Sequence, residues 1–450
     1  MSCKGKARET FGSRFAVIMA MAGSAIGLGN IWRFPYVVGE YGGAAFILVY
    51  VLCTFLLALP IFLSESIIGR RSGANCRGAM EKLAPASGWK WFGYLSVITP
   101  MIIVSYYSVV GGWSLNYLWK ACTLSFLHSS PEQISGMFGE LTSSVWTPIL
   151  FHTLFLGLSV IIVALGVKGG IERVSKFCLP VLFLLIVMIA VYSLSLPGSK
   201  AGVEYLLKPD FSKLSPRSCA AAMGQSFYSL SLGMGIVITY SSYISRKEDI
   251  MVTGVGTAVS DLLFAILAGF AIMPAVFAAG IEPAAGPGLV FETLPYILVK
   301  MGAGTPWLSG LVSILFFLTI LVAAVSSAIS MLEVGVAYLV EEKHFTRGKA
   351  VLLLFVCCWL LGALCSLSFG PLANIKLLGE TIFSFCDKLT SNFLMAFGGL
   401  LFTLFAGWRM SRVDVRSELR AGKAFGVLYF LIRFVAPAAI VIIFLTNLFL

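Results

Sequence analysis

Runs of about twenty apolar residues recur along almost the whole chain, separated by short polar connections. Each is long enough to cross the hydrocarbon core of a bilayer as an α-helix. Read this way, the pattern predicts eleven spans near 12–37, 43–69, 91–123, 147–166, 173–196, 217–243, 251–280, 306–340, 349–368, 378–407 and 424–449. Two of these are interrupted: Gly23-Ser24-Ala25-Ile26-Gly27-Leu28-Gly29-Asn30 stands halfway along the first, and Ser229-Leu230-Ser231-Leu232-Gly233-Met234-Gly235 halfway along the sixth. Backbone groups left unpaired cannot face lipid, so something polar must meet both stretches at mid-membrane depth. Glycine-interrupted segments at corresponding places in two halves of a chain point to a transporter's binding site.

Composition agrees with a polytopic membrane protein. Of 450 residues 58% are hydrophobic and 12% charged, against roughly 25% charged in soluble domains. Lysine and arginine crowd cytoplasmic loops. With the N-terminus inside, the inner segments carry 22 of the 32 Lys and Arg residues and the outer loops 8. An odd number of spans then leaves the C-terminus outside. The net charge of +11 is therefore read as a surface facing lipid headgroups, and no nucleic-acid partner is expected. The first thirty residues imitate a secretory signal, with Lys4, Lys6 and Arg8 ahead of an apolar run. Cleavage near Ala22 would cut through the polar break, which favours an uncleaved first helix. The ten cysteines form no CxxC pair and read as small apolar helix residues. His128, His152 and His344 are scattered, no HExxH occurs, and Gly27-x-Gly29 and Gly233-x-Gly235 lack the rest of a dinucleotide fingerprint. No enzyme is expected.

The spans divide into two sets of five plus one: 12–196, 217–407 and the extra helix 424–449, within a single transmembrane domain over 1–450. Each set opens with a broken helix. An odd number of spans per repeat turns the second copy upside down, which suits a rocking machine with outward and inward states.

The run Ala22-Gly23-Ser24-Ala25-Ile26-Gly27-Leu28-Gly29-Asn30-Ile31-Trp32-Arg33-Phe34-Pro35-Tyr36 resembles the first-helix signature of the neurotransmitter:sodium symporter family, in its bacterial amino-acid branch. The resemblance spans the chain, recurring at Gly42-Gly43-Ala44-Ala45-Phe46, Tyr106-Tyr107, Gly224 to Gly233 and Ser326-Ser327-Ala328-Ile329-Ser330. It implies an all-α, LeuT-type 5+5 inverted repeat with helices one and six unwound. It further implies sodium-coupled import of an amino acid by alternating access, across a bacterial cytoplasmic membrane, by a monomer or homodimer.

A hard cation needs several oxygens, and in a membrane these come from carbonyls freed where a helix unwinds, joined by hydroxyl and amide side chains. The resemblance implies two sodium sites. The first would use the Ala25 carbonyl, Asn30, Ser229, Asp261 and the substrate carboxylate. The second would use the carbonyls of Gly23, Ile26 and Ala323 with the hydroxyls of Ser326 and Ser327. Asp261 is an acid inside an apolar helix, which costs at least ~2.5 kcal/mol; a protonated side chain is the alternative to a sodium ligand. Chloride-dependent relatives bind an anion beside this site. Here Tyr50, Gln225 and Ser229 match that neighbourhood, Ala265 follows Asp261 by one turn, and Asp261 is expected to supply the charge without chloride.

Amine-carrying relatives place an aspartate in the first break where this chain has Gly27. The resemblance therefore implies a substrate with its own carboxylate, met by the amides near Leu28 and Gly29 and by Tyr107. Its ammonium group would meet the carbonyls of Ala25, Tyr228 and Ser231. Its side chain would lie against Ile103, Tyr228, Met234 and Met331, with Ser229 and Ser327 completing the pocket. Two methionines make a deformable wall, so a large neutral, hydrophobic or aromatic L-amino acid is expected, although Met331 is equally readable as ordinary packing. The resemblance also implies an outer gate of Arg33 and Asp387 and an inner gate of Arg8 and Glu341, supported by Phe11 and Tyr243. Gly170 and Pro180 form a Gly-x9-Pro spacing that in the family unwinds at the inner end of helix five; an ordinary kink is the alternative. A non-transporting amino-acid sensor on this fold, or a channel, are the competing functions. The exact substrate, the sodium stoichiometry and any proton antiport are not legible.

Overall fold

The computed structural model describes residues 10–127, 129–280, 290–301 and 306–449. Nine helices there are long and apolar enough to cross a membrane, and the bent pair Arg14–Ala25 and Gly29–Glu40, angled by 52°, makes a tenth span. Pro216–Ser229 and Ile236–Ser241, separated by six non-helical residues, form the broken sixth. The eleven spans thus fall where the apolar pattern predicts them. The other nine are Ala44–Ser72, Trp89–Cys122, Trp146–Ala164, Val167–Leu194, Ile250–Ala278, Pro306–Glu342, Arg347–Leu367, Ile382–Arg409 and Gly422–Thr446.

Local chemistry sets where several of these helices begin. Ser13 caps the first, accepting from the Ala16 amide at 3.2 Å. Ser215 and Ser218 cap each other's backbone amides ahead of Pro216, and Asp249 accepts from the Met251 amide at 2.8 Å. Each satisfies a donor that the first helical turn leaves orphaned.

Short helices absent from the apolar reading lie between spans: Cys76–Leu83, Pro131–Ser143, Ser199–Leu207, Thr293–Met301 and Arg412–Leu419. They are too short or too polar to register as membrane spans. A two-residue hairpin pairs Lys376–Leu377 with Glu380–Thr381, a small exception to the all-α expectation. The Gly170–Pro180 stretch is wound in this structure. Residues Val167–Glu172 form a widened π-helical turn that runs without a gap into Arg173–Leu194, with Pro180 inside it. A Cβ on Gly170 would stand 2.0 Å from the Ile162 carbonyl oxygen, so packing against the fourth span holds this turn wound.

The eighth span packs along the third, and the first lies among the fifth, seventh and eighth. The broken sixth span is held by backbone contact: a Cβ on Gly233 would meet the Met395 carbonyl at 1.9 Å, and one on Gly69 the Ile238 carbonyl at 2.1 Å. Small residues let helices in a membrane approach this closely. Large apolar side chains such as Leu52, Leu184, Val191 and Leu352 point outward, and Trp91, Trp119, Trp146, Trp307 and Trp408 stand exposed at span ends, as an aromatic belt requires.

Candidate functional site

In the first span the helix stops at Ala25, and Ile26 turns extended (φ −72°, ψ 103°). In the sixth, Ser231, Gly233 and Gly235 take positive φ (54°, 80° and 77°) and undo the helix between Ser229 and Ile236. Glycine adopts these angles without strain; Ser231 does not, and its side chain explains why the angle persists. Its hydroxyl donates to the Ser24 carbonyl at 3.0 Å, pinning one break to the other.

A cavity lies between the breaks. Ala25, Leu28 and Gly29 from the first span, Ile103 and Tyr107 from the third, Tyr228, Ser229, Ser231 and Met234 from the sixth, and Ser327 and Met331 from the eighth all line it, with Gly27 and Ile236. Every residue that the sequence assigns to substrate thus faces one space. The Leu28 amide donates to the Tyr107 hydroxyl at 3.4 Å, so that hydroxyl keeps its own proton to donate into the cavity. A Cβ on Gly27 would come within 2.5 Å of Ser327 Oγ and 3.2 Å of Tyr107 Oη. No side chain fits there without closing the space.

Beside the cavity, Asp261 is fully buried among polar side chains. Ser229 Oγ lies 2.9 and 2.7 Å from its two carboxylate oxygens. Asn30 Nδ2 donates to Asp261 Oδ1 at 2.8 Å and to Ser229 Oγ at 3.2 Å, and Tyr50 donates to Oδ2 at 3.4 Å. The Asn30 side-chain oxygen Oδ1 turns back to accept the Gly27 amide at 3.2 Å, which ties the cluster to the first break. Gln225 reaches the Gly29 carbonyl at 3.4 Å, while its own Oε1 has no hydrogen-bond partner among the described residues. Asn30, Ser229 and Asp261 therefore form one oxygen-rich knot beside Ala25.

A second group gathers where the first break meets the eighth span. Ser326 donates to the Ala323 carbonyl at 2.9 Å and approaches the Ile26 carbonyl at 3.4 Å. Ser327 lies 3.3 Å from the Ser24 carbonyl and 3.5 Å from that of Ile26, and Gly23 faces Ser326 and Ser175. Two hydroxyls and carbonyls from two helices converge there without a charged side chain, a set that suits a monovalent cation.

One residue missed by sequence reasoning is Glu65, in the second span. It is fully buried, and its Oε1 accepts the Gly233 amide at 2.7 Å inside the sixth-span break. An acid in an apolar run was the available signal. A second is Glu333, buried on the eighth span, which accepts from the Tyr243 hydroxyl at 2.9 Å and pairs with Arg347.

The expected gates divide. Arg33 and Asp387 line one vestibule that shares Leu28, Gly29, Tyr107 and Tyr228 with the inner cavity. No direct ion pair joins the two charges among the described residues. Arg33 instead lies over the Tyr228 ring, 4.9 Å from its centroid, and Tyr228 separates vestibule from cavity. Arg8 lies outside the described residues. Its expected partner Glu341 accepts from the backbone and side-chain amides of Asn75 at 2.9 and 3.0 Å. Phe11 packs edge-on to Tyr240 and Tyr243, with centroids 5.8 and 6.2 Å apart.

Two broken helices around one cavity, with clustered hydroxyls, carbonyls and a carboxylate beside it and a vestibule above it, define a secondary transporter of LeuT-type fold. A sequence model of the sodium:neurotransmitter symporter family matches residues 8–133 and 134–449. An uncharacterized sodium-dependent transporter, YhdH, of Bacillus subtilis is 40% identical over 438 residues, covering 96% of each chain. Another from Haemophilus influenzae is 35% identical over the full length of both. The crystal structure of MhsT in complex with L-phenylalanine superimposes with a TM-score of 0.90 at 42% identity, covering 98% of this chain and 100% of that one. This chain belongs to the sodium:neurotransmitter symporter family and is a sodium-dependent transporter of the membrane.

Proposed function

We propose that this protein imports a neutral, large hydrophobic or aromatic L-amino acid by sodium-coupled symport, through alternating access and without covalent chemistry. The observation that carries the reading is the single cavity on which all eleven substrate-assigned residues converge. The carboxylate of the substrate would sit on the amides of Leu28 and Gly29 with Tyr107 donating, and the side chain between Ile103, Tyr228, Met234 and Met331. Gly27 leaves no acid in the first break, so the substrate brings its own. The relative crystallised with L-phenylalanine supports an aromatic side chain here.

Two sodium ions would travel with it. Rotating the Asn30 amide presents its oxygen, with Asp261, Ser229, the Ala25 carbonyl and the substrate carboxylate, to the first ion. Gly23, Ile26, Ala323, Ser326 and Ser327 would hold the second. Asp261 supplies a fixed negative charge, and Ala265 follows it without a polar group, so transport would not require chloride. The charge asymmetry of the loops supports an N-terminus in the cytoplasm with the vestibule outside, and residues 12–196 and 217–407 would be the two inverted repeats that rock against each other.

Reconstitution into vesicles tests this. An inward sodium gradient should concentrate one or more large neutral amino acids above equilibrium, potassium should not replace sodium, and gluconate should replace chloride. Substrate binding without accumulation would mark a sensor, and uptake that never exceeds equilibrium a channel; either defeats the proposal.

A further inference from the structure

At the end of the molecule where the first span begins, the fourth and fifth spans are joined by a tight turn at Leu165 and Gly166, the latter with φ +91°. Beside it opens a shallow surface cavity lined by Lys168, Glu172, Arg173, Lys176 and Phe177. Three cations and an aromatic ring surround one carboxylate, and that carboxylate is committed elsewhere. Glu172 Oε2 accepts the Gly12 amide at 3.0 Å, and its Oε1 takes the Lys176 ammonium at 2.6 Å. Lys168 and Arg173 are exposed and pair with no acid among the described residues. The cavity therefore keeps a surplus of positive charge.

What leads away from it is apolar. Phe177, in the cavity wall, is 71% exposed, and Leu184, Met188 and Val191 continue the same exposed stripe along the fifth span. On the fourth, Leu158, Ile161 and Leu165 repeat at i, i+3 and i+7 and are also exposed. Side chains at these spacings share one helix face. A soluble anion could use the cations but has no use for the stripes, whereas an amphiphile uses both.

We propose that this cavity binds the phosphate headgroup of an anionic phospholipid, with Lys168 and Arg173 as its principal contacts and the acyl chains along the exposed stripes of the fourth and fifth spans. Basic pockets between spans, at the level of the headgroups, recognise such lipids. None of its lining residues is among those assigned to sodium or substrate, and it needs only that the spans sit in a bilayer.

Native mass spectrometry of the purified full-length protein tests it, with phosphatidylglycerol or phosphatidylcholine added in turn. Phosphatidylglycerol should bind in preference, and the double variant Lys168→Ala/Arg173→Ala should weaken that binding by about thirtyfold, the equivalent of two cationic contacts. The charge-retaining Lys168→Arg should preserve it, as should Lys200→Ala/Lys208→Ala at the opposite end of the fifth span. Sodium-dependent amino-acid binding by each variant reports that the fold is intact. Equal binding of the two lipids, undiminished phosphatidylglycerol binding by the Lys168/Arg173 variant, or displacement of the lipid by millimolar inorganic phosphate would overturn the proposal, the last by showing a site for soluble anions.

Discussion

Ser229→Ala removes a single hydroxyl from the knot that joins the two broken helices. That hydroxyl is within 2.9 Å of both Asp261 oxygens and accepts the Asn30 amide. Hydrogen bonds to a charged group contribute about 1.5–3 kcal/mol, and here water cannot replace the loss because Asn30, Ser229 and Asp261 are all buried. If the knot is the first sodium site, the sodium concentration at half-maximal binding should rise about 10- to 150-fold. The assay is equilibrium binding of a radiolabelled amino acid to the purified protein across a sodium titration, with potassium holding ionic strength constant. Ser229→Thr keeps the hydroxyl and should recover most of the loss. An alanine variant whose sodium midpoint stays within about twofold of the parent would refute the reasoning, since an effect that small corresponds to under ~0.5 kcal/mol.

Three other substitutions probe neighbouring parts of the machinery. Gly27→Ala pushes a methyl to within 2.5 Å of Ser327 Oγ; overpacking of about 1–3 kcal/mol should raise the substrate KM roughly 5- to 150-fold in vesicle uptake, and an unchanged KM would place the substrate elsewhere. Glu65→Ala leaves the Gly233 amide buried without an acceptor, which costs about 1–3 kcal/mol; binding should fall and the melting temperature drop, with Glu65→Gln, still able to accept, close to the parent. Arg33→Gln removes the cation stacked on Tyr228, a contact worth about 0.5–1 kcal/mol when exposed, so release of bound amino acid toward the vestibule should quicken about two- to fivefold in a stopped-flow displacement experiment.

The spans were legible because bilayer thickness imposes a length, and hydrophobicity a composition, that both stand in the linear chain. The breaks were legible too, since glycines and serines amid apolar residues announce where a helix fails. Ile26 and Gly27 alone leave helical geometry in the first span, fewer residues than the polar run suggests, because Gly29–Arg33 rewinds at once as a wide turn. Gly170 shows what the local sequence withholds: its spacing to Pro180 marks a place able to unwind, and in this structure it packs against the Ile162 carbonyl with the turn wound. That contact joins two spans and leaves no trace in the local sequence.

By itself, then, the sequence determined an eleven-span helical membrane protein, the two places where its helices break, and the residue types able to meet a cation and a zwitterion there. Only tertiary structure decided that Ser231 ties one break to the other, that Asn30, Ser229 and Asp261 share one knot, that Glu65 satisfies the opened sixth span, and that Arg33 rests on Tyr228 instead of pairing directly with Asp387. Apolar periodicity is a property of neighbours along the chain, whereas these contacts join residues far apart in sequence, and which oxygen reaches which amide depends on how close the packed backbones allow two helices to come.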